Sequence, residues 1–132
     1  MIQTPQNTFR PFTGLVVLRL VLVFIMLTHS LHRMYAGTVG NFGEFLNAHN
    51  FNPLGVQIAW SITVFELIGA LLLAFGLWQR VVSFGFIGML FAGIIMVHAP
   101  RWFVVGAGSN GMEYSIALIA GFIAVAFPPK DN

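Results

Sequence analysis

Two charged residues stand where a lipid-soluble chain has little reason to place them. Arg19 interrupts the apolar run from Phe12 to Met34, and Glu66 interrupts the run from Leu54 to Trp78. Near a bilayer centre each costs about 3 kcal/mol on insertion scales, and more if unpaired. At about 1.5 Å per helical residue, Arg19 lies about 10 Å from one end of its run and Glu66 about 18 Å from the same side. Two long side chains can close that gap, so the expectation is a buried Arg19–Glu66 pair. The alternative is that Arg19 snorkels to the headgroups while Glu66 stays protonated.

A second group consists of His29, His98, Glu113 and Tyr114. In a four-span chain the first span ends, the second begins, the third ends and the fourth begins on one side, so these residues share a depth. Such a set can hold a proton, hydrogen-bond a quinone carbonyl or bind a cation. Interfacial histidines and a capping Glu at a helix N-terminus give the same pattern. His29 and His98 meet the axial requirement for bis-histidine haem, but two histidines in four spans are a slender basis, and no metal site is expected. At about 100° per residue, Arg19, Ser30 and Arg33 form one stripe, His29 sits about 80° from it, and His32 points nearly opposite. Glu66, Gly69, Leu73, Gly76 and Arg80 form a seam on the second run. Nucleotide-binding loops and serine-nucleophile elbows are absent from the sequence.

Membrane helices must position these groups. Of 132 residues, 58% are hydrophobic and 8% charged, with a mean hydropathy of +0.86. A soluble domain carries about a quarter charged residues, so the solvent for this chain is mostly lipid. Six basic and four acidic residues build no face for nucleic acid. The absence of cysteine excludes thiol catalysis, disulfides, cysteine-bound zinc and protein-ligated iron–sulfur clusters. Redox chemistry would need a bound cofactor or a quinone.

The expected fold is all-α: a polytopic membrane four-helix bundle forming a single membrane domain over residues 1–132, with spans at about 12–34, 54–78, 81–99 and 112–127. The first run is too long, and too interrupted by Arg19, for a secretory signal core. Phe42, Phe45 and Leu46 recur at helical spacing between the first two spans, which suggests a short interfacial helix. Trp60, Trp78 and Trp102 fall near span ends, as an aromatic belt requires. The very short second connection forces the second and third spans to be antiparallel neighbours. Gly69 with Gly76, Gly88 with Ala92, and Ala117 with Gly121 read as packing seams; Met26, Met89 and Met96 read as adaptable packing. Arg10, Arg80 and Lys130 against Arg33 and Arg101 favour both termini in the cytoplasm, and continuous apolar runs favour a bacterial cytoplasmic (inner) membrane over an outer-membrane barrel.

The order of residues resembles the DoxX family. Leu18 to Arg33, with Arg19, an apolar run and the closing His29-Ser30-Leu31-His32-Arg33, resembles its first-span signature of an arginine, apolar residues and a His-Gly-x-x-Lys-like end. Glu66, Gly69, an apolar run, Gly76 and Arg80 resemble its second-span pattern. Gly111-Met112-Glu113-Tyr114 resembles the start of its fourth span. Val23 and Ser30 stand where the family often has glycine, and Arg33 where it often has lysine. The resemblance implies a four-helix membrane protein; some relatives are subunits of quinone-linked sulfur oxidation or of membrane complexes handling oxidative or thiol stress. The leading expectation is a membrane subunit of a quinone-linked oxidoreductase complex, with Arg19 and Glu66 at its polar centre. His29 and Glu113 would handle protons or bond a quinone oxygen, with Tyr114 as an auxiliary donor. The rivals are a non-catalytic anchor or assembly subunit and a small proton or solute carrier. The expected partners are the lipid bilayer and either other subunits or further copies of the chain.

Overall fold

The computed structural model describes residues 11–98 and 112–130. Helix α1 covers Pro11–Tyr35, α2 Val39–Leu46, α3 Gly55–Ala74, α4 Gln79–Gly93 and α5 Met112–Ala126. Beyond α2 the chain runs through Asn47–Phe51 and leaves helical geometry at His49 (φ -105°, ψ 37°) and Asn50 (φ 73°, ψ 17°), while a wide helical turn continues α4 through Ile94–His98. Three stretches are long and apolar enough to cross a membrane: Gly14–Tyr35, Gly55–Ala74 and Gln79–Val97. Together with the shorter apolar α5 they make an all-α membrane helical bundle.

Helix ends follow from local chemistry. Pro11 opens α1, where its missing N–H costs nothing. Gly37 closes the same helix at φ 68°: its N–H bonds Met34 O at 3.2 Å, and the Thr38 N–H bonds Arg33 O at 3.0 Å. Gly76 repeats the motif at the end of α3, with φ 72°, Gly76 N–H to Leu73 O at 3.0 Å and Leu77 N–H to Leu72 O at 2.8 Å. Both are left-handed caps that an L side chain resists.

The four longer helices close a ring in which α1 packs on α3 and α5, and α4 packs on α5 and α3. Leu22, Val23 and Met26 from α1, Ala70 and Leu73 from α3, Val82 and Phe86 from α4, and Leu118, Phe122 and Val125 from α5 meet in one core. Phe86 stacks on Phe122 at 4.9 Å and tilts against Phe65 at 5.2 Å. Outward residues such as Val17, Leu20, Phe24, Ile68 and Phe91 are large, apolar and exposed, as a lipid-facing surface demands.

The glycine seams divide in two. Gly69 lies against Val82 and Phe86, and Gly121 against Leu22 and Leu18, so both admit a neighbouring helix, whereas Ala117, paired with Gly121 in the expected seam, is exposed. Gly88 and Ala92 instead face outward, and nothing approaches the Gly88 Cβ position within 4 Å. Their expected seam does not form because the Phe86 face of α4 takes the core contacts, and Gly76 serves as a cap. Met26 is buried, while Met89 and Met96 pack at the edges of the core clusters.

The segment between α1 and α3 folds back. Helix α2 packs on the first half of α3, burying Val39 and Leu46 against Ala59. The contact is backbone on backbone. A Cβ on Gly43 would stand 2.6 Å from Val56 Cα, and one on Gly55 would meet Gly43 O. Asn47 completes the junction by accepting the Gly55 N–H at 2.8 Å, filling a vacant donor at the start of α3.

Candidate functional site

Glu66 pairs with Arg33, correcting the expected Arg19–Glu66 pair. The Arg33 Nη1 group donates to Glu66 Oε2 at 2.9 Å and to Thr63 Oγ1 at 3.1 Å. The side chains of Arg33 and Glu66 are 14% and 3% exposed, so the pair is withdrawn from solvent and lipid. The Thr63 hydroxyl donates to Ala59 O at 2.8 Å, which orients its oxygen to accept from Arg33. Phe42 of α2 covers the guanidinium, with the Arg33 carbon 4.7 Å from the ring centroid.

The reason is register. Arg33 lies opposite Thr63 and Glu66, and Arg19 lies beside Gly76, so α1 and α3 run antiparallel with Arg19 about ten residues, or about 15 Å, beyond the level of Glu66. Because α2 occupies the first turns of α3, that helix begins beyond the end of α1. Glu66, about 16 Å into α3, therefore meets the last turn of α1. The stripe of Arg19, Ser30 and Arg33 does face inward, with Ser30 buried and its hydroxyl donating to Met26 O at 3.0 Å and Leu27 O at 3.2 Å. A serine in place of glycine is thus absorbed by back-bonding to its own helix.

The second expected group is not assembled. His29 and His32 are exposed on the outer surface of α1, and Tyr114 is exposed on α5. Gly121 packs on Leu22, and counting seven residues along each helix brings His29 and Tyr114 to a common depth, but no hydrogen bond joins them among the described residues. Glu113 is half-buried in the first turn of α5, its Oε2 buried and unpartnered among the described residues. The side chain of His98 lies outside the described residues, as does Trp102. Among the described residues no group of three metal-ligating side chains occurs.

Arg33, Thr63 and Phe42 are the site residues that sequence reasoning passed over. The available signal was the i, i+3 spacing of Thr63 and Glu66 on one face of α3, together with Arg33 on the stripe of Arg19.

Two other arginines lie at helix ends. Arg80 Nε donates to Ala126 O at 3.4 Å and its guanidinium lies 5.3 Å from the Phe127 ring, placing a cation at the end of α5 where the helix dipole favours it. Arg19 sits beside the end of α3, its Nη1 3.1 Å from the Cβ position of Gly76.

Fold and site together define a polytopic helical membrane protein with an ion pair buried between two antiparallel spans. A family model described as DoxX matches residues 14–99, and the chain belongs to the DoxX family. The match runs from α1 to the end of α4 and contains the whole Arg33–Glu66 site; α5 lies beyond it. No curated protein and no solved structure matches the chain.

Proposed function

We propose that this DoxX protein is the membrane subunit of a quinone-linked oxidoreductase complex, with Arg33, Glu66 and Thr63 as its polar centre. The observation that carries this reading is the Arg33–Glu66 bond of 2.9 Å, held inside an apolar bundle where ion pairs are expensive and serve function more often than stability. The donor set suits a carbonyl-bearing ring: both side-chain bonds of Arg33 leave from Nη1, and among the described residues Nε and Nη2 bond no side chain. A quinone would supply two-electron chemistry coupled to proton uptake. Arg33 would bond its oxygen, Phe42 would offer a ring face, and Glu66 would hold a proton beside it. His29 lies one helical turn from Arg33, and with Glu113, Tyr114 and His98 it is assigned to proton handling at that end of the bundle. In this reading a partner subunit would supply the electron route.

Quenching of tryptophan fluorescence tests this directly, since Trp60 lies one turn from Thr63 on α3. Purified protein in nanodiscs, titrated with ubiquinone or menaquinone, is expected to show saturable quenching. Arg33→Gln and Glu66→Gln are expected to weaken it at least about tenfold, the loss of roughly one charge-assisted hydrogen bond. Wild-type protein that binds neither quinone overturns the reading.

A second reading draws on a separate observation. Arg33 joins three elements: its carbonyl closes the cap of α1, its guanidinium holds α3, and Phe42 of α2 covers it. In this reading the pair fixes helix register in a non-catalytic anchor or assembly subunit. Native purification separates the two: co-purifying proteins without quinone favour the anchor, and retained quinone favours the redox subunit.

A further inference from the structure

The redox reading leaves Arg19 without a role. Its Nε is buried with no hydrogen-bond partner among the described residues. Unpaired buried donors of this kind are rare because they forfeit water without replacement. Glu66 belongs to Arg33, and Glu44 and Glu113 lie toward the opposite end of the bundle. By chain order Asp131, outside the described residues, is the one acid toward the Arg19 end. The dipole at the end of α3 accounts for a cation nearby, but the Leu72 and Leu73 carbonyls are already taken by Leu77 and Gly76, and Arg19 bonds neither.

What surrounds Arg19 is a shaped space. Leu15, Val16, Arg19, Gln79, Val125 and Pro128 line a cavity of about 80 Å³ at the end of the bundle that carries the α3–α4 turn. A single water needs about 10–15 Å³, so the space admits a larger group. Gly76 has no side chain to fill the gap between the two polar walls: a Cβ there would stand 3.1 Å from Arg19 Nη1 and 3.2 Å from Gln79 Nε2. Gln79 spends one amide hydrogen on Gly76 O at 3.2 Å and keeps a second. The remaining walls are apolar.

We propose that this cavity binds the phosphate of an anionic membrane phospholipid, with Arg19 and Gln79 donating to its oxygens and Leu15, Val16 and Val125 flanking its glycerol and upper acyl carbons. A free anion would gain nothing from those apolar walls. Charge distribution supports the same ligand. Four of the six basic residues, Arg10, Arg19, Arg80 and Lys130, fall toward this end in chain order, against one of the four acids. Basic pockets between membrane helices are a recurrent form of headgroup recognition.

Native mass spectrometry of the purified chain tests the proposal, after exchange into nanodiscs holding phosphatidylglycerol and phosphatidylcholine in equal amounts. Wild type is expected to retain phosphatidylglycerol about fivefold over phosphatidylcholine, the effect of one basic side chain at an anionic surface. Arg19→Gln brings the ratio to parity, and Arg19→Lys keeps part of it. Leu15→Trp fills the cavity without touching the charge, and also abolishes the preference; it carries the test if Arg19→Gln fails to fold. Arg80→Gln, on the same end but engaged at Ala126 and Phe127, leaves the ratio within about twofold if recognition is local. No wild-type preference, a preference surviving both Arg19→Gln and Leu15→Trp, or equal loss in Arg80→Gln overturns the site. Thermal stabilisation by inorganic phosphate equal to that by the lipid overturns the lipid assignment.

Discussion

Arg33 does with one nitrogen what a lysine would do less well. Nη1 reaches both Thr63 and Glu66 while the guanidinium carbon lies 4.7 Å from the Phe42 ring centroid, so a flat, weakly hydrated cation makes two polar bonds and a ring contact at once, where an ammonium is a compact and strongly hydrated charge. Removing one partner of a buried pair leaves the other charge uncompensated, at a cost of about 3–5 kcal/mol. Glu66→Gln is therefore expected to lower thermal stability in detergent sharply, and Arg33→Lys less. A double-mutant cycle separates this assignment from the one that run lengths suggest. Arg33 and Glu66 should couple by at least about 1 kcal/mol, whereas Arg19 and Glu66, about ten residues apart in register, should add within about 0.5 kcal/mol. The sequence made both charges conspicuous, since Arg19 and Glu66 each break an apolar run. It hid their partners because pairing depends on where α3 starts relative to α1, and no residue in either run encodes that offset.

At the scale of elements, the offset comes from α2. Its docking on α3 rests on Gly43, in a stretch whose polar composition reads as a connection, and on Gly55, the first residue of α3. Gly43→Ala would drive a methyl group against Val56 Cα, and overpacking of that kind costs about 1–3 kcal/mol. The variant is expected to lose thermal stability by that amount and, because α2 sets the register, to loosen the Arg33–Glu66 pair; hydrogen exchange of the α2 amides should rise with it. Gly76→Ala meets a different obstacle. A φ of 72° disfavours any Cβ, for about 1 kcal/mol, and the methyl would press on Arg19 and Gln79. The four apolar helices were legible from run length and punctuation, as with Pro11 at the start of α1, but the run from Leu54 to Trp78 hid the turn: α3 ends at Ala74, where Gly76 caps it at φ 72°, and α4 begins at Gln79. The short helix was legible from Phe42, Phe45 and Leu46, but its backbone contact with α3 was not, because glycine marks close approach only once the neighbour is known.

For the whole molecule, closure of the ring falls to the shortest helix. Helix α5, with 15 residues, spans about 22 Å against a hydrocarbon core of about 30 Å, yet it supplies Leu118, Phe122 and Val125 to the core and joins α4 to α1. Phe122 is fully buried in the stack with Phe86, so Phe122→Ala is expected to cost about 3–5 kcal/mol in thermal unfolding. If α5 crosses with the other three, the chain returns to the side on which it starts, and by the positive-inside rule the excess of basic residues in chain order at the α3–α4 turn end leads us to propose that this side faces the cytoplasm. The chain has no cysteine, so single-cysteine labelling needs no prior substitution. Glu44 on α2 and Lys130 after α5 are both exposed and stand at opposite ends of the bundle. A membrane-impermeant maleimide is expected to label Glu44→Cys in right-side-out bacterial spheroplasts and Lys130→Cys only in inverted vesicles. The reverse pattern would invert the orientation and move the Arg19 cavity to the outer leaflet, while labelling of both from one side would mean that the bundle does not cross the membrane as an even set of spans.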